Sequence, residues 1–510
     1  MTTRRWILIA LAVVIAIPLI AAIAVYALLG SDEVRVALER QATRWLGQPV
    51  AIGSATARIF PRPSISLRNV RVGDPVRVAL DQVELSTGLR PLLSRRIEDA
   101  KVAISNSSIL MPLPFSIPVP GEAPAEGPSK GGPHDDAGGG VQVVSIRSIA
   151  LHDITIASRG RQVTISADSS LSSAHLNLER LTATAGRTSM TASGLVELSP
   201  RLDAQLKVIA NQIDVDDLVA LADAFSPRAS GKTPSTFGPL PGRIVARISA
   251  ERGRASNVDV QQFATTLVAQ GNRITLSPLS FQLFDGTYHG SIDFDSRATE
   301  LQATVRAQVS NIDVARLAAF GGAPDTITGR LSGSGTFNGR GVTVGDAIAA
   351  AAGEGNASII NGMLPRLGLV RTVVLFFGRP APDAGASSDH FDRIDAAFGL
   401  VRQVVVARAM SLRSPDLDVV GQGTLTVPTK AMEGRFDLSL SEAFSRQAGT
   451  DFARFTREGN RIVLPAIVSG TLSAPHVNID AGAAIGRGLH DEVQQRLKNI
   501  LGDLIPAPQD

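Results

Sequence analysis

Over most of this chain apolar residues recur at every second position, and that period limits the fold more than any other feature. Ser64-Ile65-Ser66-Leu67-Arg68-Asn69-Val70-Arg71-Val72 is an early case, turned by Gly73-Asp74-Pro75. Ile154-Thr155-Ile156, Leu176-Asn177-Leu178, Ile274-Thr275-Leu276, Ile292-Asp293-Phe294, Leu301 to Val309 and Phe436-Asp437-Leu438-Ser439-Leu440 repeat the pattern. A strand points successive side chains to opposite faces, so each segment predicts a strand with one apolar and one polar face. The apolar mass is Val, Ile, Leu and Ala, with aromatics at only 4%, a composition suited to strands.

Helical periodicity is confined to short stretches. Ser31 to Trp45 reads as a helix opened by Ser31, Asp32 and Glu33 and closed by Gly47. Val215–Phe225, Val314–Phe320 and Gly345–Ala352 are further short helices, and Ile485–Ile505 is a longer amphipathic one. These are too few to cover so much sheet. One face of every strand must still be hidden. A closed sandwich or barrel is the default solution, and a groove filled by something apolar is the alternative.

The uncharged run Trp6–Leu29 stands apart. At about 1.5 Å per residue it makes a helix of roughly 36 Å, enough for a bilayer core of about 30 Å. It is longer than the hydrophobic region of a cleaved signal peptide. Arg4 and Arg5 precede it, which predicts a cytoplasmic N-terminus and export of everything after Ser31. The chain has no cysteine, so the exported body must rely on packing and sheet hydrogen bonds.

Three breaks punctuate the strands: Pro112 to Gly140, with seven prolines and Gly138-Gly139-Gly140, then Ser226 to Pro241, then Gly378 to Ser388. They divide the chain into a tip and anchor (1–30), an N-terminal β region (31–111), a linker (112–140), a longer repeated β region (141–484) and a terminal helix and tail (485–510). An internal repeat is visible. Asn211-Gln212-Ile213-Asp214-Val215-x-x-Leu218 matches Asn311-Ile312-Asp313-Val314-x-x-Leu317 apart from one residue. Asp214 and Asp313 each read as the N-cap of the helix that follows. Gly329–Gly341 reads as a glycine-rich hairpin with close backbone approach.

Motifs that carry chemistry are missing. No two of the seven histidines sit at metal-ligand spacing, and no Gly-x-Ser-x-Gly elbow occurs. The formal charge is +3, from 50 Lys+Arg against 47 Asp+Glu, with no cation cluster beyond Arg95-Arg96. Nucleic acid needs clustered cations and is not an expected partner. No catalytic residue, cofactor or metal is expected, and the chain is not read as an enzyme.

Several motifs, in order, carry a resemblance. Gly47-Gln48-Pro49-Val50-Ala51-Ile52-Gly53 and Pro63-x-Ile65-x-Leu67-x-Asn69-Val70-x-Val72 follow the anchor. Phe284-Asp285-Gly286-Thr287-Tyr288-x-Gly290, Gly353-x-Gly355-x-Ala357-x-Ile359, Ser414-Pro415-Asp416-Leu417-x-Val419-x-Gly421-x-Gly423 and Ser469-Gly470-Thr471-Leu472-Ser473-Ala474-Pro475 come later. In this order the chain resembles the AsmA family of bacterial envelope proteins. The resemblance implies a mainly β body: an N-terminal transmembrane helix, then an elongated, curved antiparallel sheet forming a trough with an apolar interior. It implies an inner-membrane protein with its body in the periplasm, similar to bridge-like lipid-transfer proteins, with phospholipids and envelope proteins as partners. The expected function is shielding of acyl chains during lipid transport or outer-membrane homeostasis. A scaffold that assists outer-membrane protein assembly is the alternative. On this reading the candidate groove residues are Ile292, Phe294, Leu301, Val305, Val309, Phe436, Leu438 and Leu440, each of which serves equally well as sandwich core.

Overall fold

The computed structural model describes residues 31–483, apart from 59–62, 89–95, 98, 114–141, 144–145, 173, 199–200, 215, 218–220, 222–239, 256–257, 297–299, 343, 379–388, 448–456, 459–460 and 481. The expected anchor at 6–29, most of the linker at 112–140, most of the helix at 215–225 and the terminal helix at 485–505 lie outside the described residues. Among those described, no helix is long and apolar enough to cross a membrane. The chain forms two compact units, Met1–Ser277 and Pro278–Asp510.

The first unit opens with α1 (Ser31–Leu46). It continues through β1 (Val50–Arg58), β2 (Ser64–Val72), β3 (Val78–Ser86), β4 (Ala100–Ser105), β5 (Ser108–Met111), β6 (Ile146–Ser158), β7 (Arg161–Ser172), β8 (His175–Ala185), β9 (Thr188–Glu197), β10 (Leu202–Asp214), β11 (Leu240–Ala255) and β12 (Val258–Gly271). β13 (Arg273–Leu283) crosses the division between units. Strands β1 to β6 enclose a core of Ile52, Ile65, Leu67, Val70, Val83, Leu85, Val102, Ile104, Ile149 and Ile156, with Ala42 of α1 packed into it. The alternation in β2 slips by one at Arg68-Asn69. Asn69 takes up the slip with a left-handed φ of 53° and drops out of the ladder with β3. The ladder keeps its register there, since Asp81 drops out with Asn69, and this local twist lets Leu67 and Val70, three apart, face the same core.

Most neighbours are antiparallel, as the alternation suggests, but four ladders of the first unit are not, among the described residues; the shortest pairs Arg96-Ile97 with Gln142-Val143. β4 and β5 both run parallel to β6, and β10 runs parallel to β11. The expected antiparallel sheet is observed, with parallel neighbours added at these places. Parallel neighbours need a long crossover, and the two longest sequence breaks supply them. The Pro/Gly segment joins β5 to β6, and the proline-rich segment around Ser226–Pro241 joins β10 to β11.

The second unit contains β14 (Gly286–Asp295), β15 (Leu301–Asp313), α2 (Val314–Phe320), β16 (Arg330–Gly341), α3 (Val344–Ala349), β17 (Ala352–Met363), α4 (Leu369–Phe376), β18 (His390–Val401), β19 (Val404–Arg413), β20 (Leu417–Thr426), β21 (Ala431–Leu440), α5 (Glu442–Gln447), β22 (Arg461–Thr471) and β23 (Ala474–Ile479). From β14 to β23 each strand pairs antiparallel with the next. The glycine-rich segment is no hairpin. It is the single strand β16, whose glycines recur on one face.

The repeat is structural. Asp313 Oδ1 accepts from the N–H groups of Ala315 (2.9 Å) and Arg316 (3.2 Å). Asp214 Oδ1 accepts from Asp216 (3.1 Å) and Asp217 (3.2 Å) in the same way. Each aspartate ends a strand and caps the turn after it.

Candidate binding face

The ladders of the second unit line up one transverse row. Ile292 stands opposite Val305, Val305 opposite Phe337, Phe337 opposite Gly353 and Gly353 opposite Leu400. Leu400 then meets Val405, Val405 meets Leu425 and Leu425 meets Met432. This row crosses β14 to β21 without a polar side chain. Every member is half-buried, and none reaches the burial of a core residue. Beside it runs a row of Tyr288, Val309, Gly333, Ala357, Ala396, Met410, Gly421 and Phe436, also half-buried. A contiguous apolar face that is only half covered is a candidate binding surface.

Glycines set the relief of this face. A Cβ added at Gly335 would lie 2.7 Å from Phe337 Cζ, and one at Gly355 would lie 2.9 Å from Phe398 Cζ. The phenyl rings therefore lie across bare backbone, and Phe337 and Phe398 stack with centroids 6.5 Å apart. The result is a low, aliphatic and aromatic floor with no room for a larger residue beneath the rings.

The opposite face is polar. Thr304 Oγ1 donates to Asn338 Oδ1 at 2.9 Å, Ser334 Oγ to Asn356 Oδ1 at 3.2 Å, and Arg306 Nη1 to Asp293 Oδ2 at 3.1 Å. Arg393 Nε donates to Asp395 Oδ2 at 2.7 Å, and this hydrogen bond holds the Asp395 carboxyl below its ordinary range. These polar groups pair with one another across the strands, although Ile360 and Val420 also lie exposed on this side.

The face closes toward one end of the strands. Phe391, Ile394, Leu412, Leu417, Val419, Leu438, Leu440, Ile462 and Leu464 form a dry cluster roofed by Leu369 and Val373 of α4. Helix α4 was not legible in the sequence, because Val370, Thr372, Val373 and Val374 are β-branched and lower its helical propensity. Its N-terminus is capped from elsewhere. Gly368 offers no side chain, and the Asp389 carboxylate accepts from Leu369 N (2.7 Å) and Val370 N (3.1 Å). Burial raises the Asp389 carboxyl above its ordinary value, with those same donors opposing the shift.

The eight groove candidates divide accordingly. Ile292, Phe294, Val305 and Val309 lie on the open face. Phe436 sits at the margin of the closed cluster. Leu438 and Leu440 are 1% and 0% exposed inside that cluster, so they are core and present no wall. Leu301, 4% exposed, lies opposite Gly341 where α3 covers the other strand end. Sequence reasoning missed Phe337, Phe398, Leu400, Val405 and Leu425. Their signal was the apolar residue at every second position between glycines.

A model of the AsmA family matches residues 146–404, which run from β6 to the start of β19. The chain belongs to the AsmA family. No curated protein and no solved structure matches it. In this AsmA-family chain the matched region holds most of the open row, from Ile292 through Leu400. No group of three or more His, Asp or Glu side chains converges among the described residues. The arrangement can shield apolar matter.

Proposed function

We propose that this chain shields phospholipid acyl chains on the open β-face of its body, in lipid transport or outer-membrane homeostasis. On this reading Trp6–Leu29 anchors it once in the inner membrane, the body stands in the periplasm, and it is not an enzyme. The observation that carries the reading is the continuous half-buried row from Ile292 to Met432, apolar throughout and backed by a polar face. Family membership and the large sheet fit a lipid-transport or envelope role. Burial of each methylene is worth about 0.8 kcal/mol, so a long acyl chain is held by area alone while its head group stays in water.

The test uses full-length protein purified from membranes and native mass spectrometry of the bound lipid. Wild type is expected to carry phospholipid that the Val305→Asp/Leu425→Asp variant lacks. Equal lipid on both would assign it to the anchor and leave the scaffold reading in place.

A further inference from the structure

Two connections of the second unit fold across the apolar face. One is α2 with the residues after it, between β15 and β16. The other is the segment that leads into α4, between β17 and β18. Both leave the strand end marked by Asp313, Arg330 and Met363. By register, that is the end at which β20 begins and β21 finishes. Both reach turns at the opposite end. Lys430 Nζ, in the turn between β20 and β21, donates to Gly322 O at 2.7 Å. Arg366 Nη1 donates to Ser473 O, in the turn between β22 and β23, at 3.1 Å. Arg366 Nε also donates to Asp325 O at 3.2 Å and so ties the two connections together.

The effect on burial is abrupt. The row of Val309, Ala357, Met410 and Phe436 stays half-buried through β21, then falls to 2% exposure at Ala466 and 8% at Ile479. On β22 the apolar side is dry from Ile462 to Val468, with Ile462, Leu464, Ala466 and Val468 at 0%, 0%, 2% and 5%, while Gly470, opposite Met432, lies beyond this dry stretch and is exposed.

We infer that the lipid-holding face is blind at its C-terminal end: the strap made by these two connections stops an acyl chain at β21. This rests on the proposed function and adds a boundary to it. The occupant is the acyl chain of a phospholipid. Arg402 lies in the turn between β18 and β19, beside Leu400 and Val405, an exposed cation at the margin suited to an anionic phosphate while the tail lies on the row; Lys430, at the same strand end, is engaged with Gly322. Lipid therefore enters and leaves this unit across the open strands, and the last two strands serve as a stop.

Site-directed photocrosslinking tests the boundary in the full-length chain, using vesicles of phosphatidylethanolamine that carry a fluorescent acyl chain. p-Benzoylphenylalanine replaces, one at a time, Leu400 and Leu425 on the open row, Val477 on β23 past the stop, and Ile467 on the polar face. Ile467 is 37% exposed, and Val477 is half-buried where it packs against the edge of the dry cluster. The expected result is fluorescent adduct at positions 400 and 425, with at least tenfold less at 477 and 467. Comparable adduct at 477, 400 and 425, with none at 467, overturns the stop and leaves lipid shielding intact. Adduct at none of the four, or equally at all four, removes the lipid reading and the boundary with it.

Discussion

Ile292 stands directly opposite Val305 across the β14–β15 ladder, and both remain half-buried. Cross-strand apolar pairs stabilise a sheet even without a covering layer, but a pair this open contributes little to a core. Val305→Asp is therefore expected to change unfolding free energy by less than about 1 kcal/mol. Leu438→Ala, in the dry cluster of the same sheet, is expected to lose about 2–5 kcal/mol. Urea denaturation followed by circular dichroism distinguishes them, and equal losses would mean the open row is core after all.

Asp389 gives the second unit a pH signature. Its folded carboxyl is raised, chiefly by burial, so the folded state binds this proton more tightly than the unfolded state does. Its contribution is then fully present below the ordinary carboxylate value of 3.8 and is lost as pH rises through the raised one. Stability of wild type relative to Asp389→Asn should fall across that window and level off above it. Urea midpoints measured against pH check the sign. Asp389→Ala removes both acceptors from the α4 N-terminus and should cost about 1–2 kcal/mol at neutral pH.

The rings on the floor of the face couple to the glycines beneath them. Gly335→Ala places a methyl 2.7 Å from the Phe337 ring and 3.0 Å from Glu354 O, an overpacking expected to cost about 1–3 kcal/mol. In a Phe337→Ala background most of the ring clash is gone, so the penalty should shrink by about 1 kcal/mol. A double-mutant cycle by chemical denaturation reads this coupling, and strict additivity would show that the ring does not rest on the glycine.

Local periodicity made the strands legible, because a two-residue period needs no knowledge of the partner. The Asp214 and Asp313 caps were legible for the same reason, since donor and acceptor lie within three residues. What the sequence concealed depends on distant residues. Helix α4 forms from β-branched residues because Asp389, twenty positions on, satisfies its first N–H groups. The parallel ladders depend on where long connections land. The split between open Val305 and buried Leu438, both on alternating strands, is made by Lys430 and Arg366 pinning a strap more than a hundred residues away in sequence. Alternation reports which face is apolar, and only tertiary contacts decide whether that face is covered.

The β1 edge of the first unit is covered by α1. An edge strand exposes unpaired N–H and C=O groups and invites pairing with other chains. Here α1 lies along the outer side of β1 and supplies side chains to it. Glu39 Oε1 accepts from Ile52 N at 2.8 Å, and Thr43 Oγ1 accepts from Val50 N at 3.1 Å. Arg35 Nη1 donates to Glu39 Oε1 at 2.9 Å and holds that carboxylate in place. Glu39→Ala leaves the Ile52 amide without its acceptor, which should cost about 1–3 kcal/mol locally. Exchange of the Ile52 amide should then speed by roughly tenfold or more, since about 1.4 kcal/mol corresponds to a factor of ten. Glu39→Gln keeps a carbonyl oxygen at the same reach and should restore most of the protection while losing the Arg35 ion pair. If both variants exchange alike, the helix shields β1 by bulk alone and the carboxylate is not the clasp.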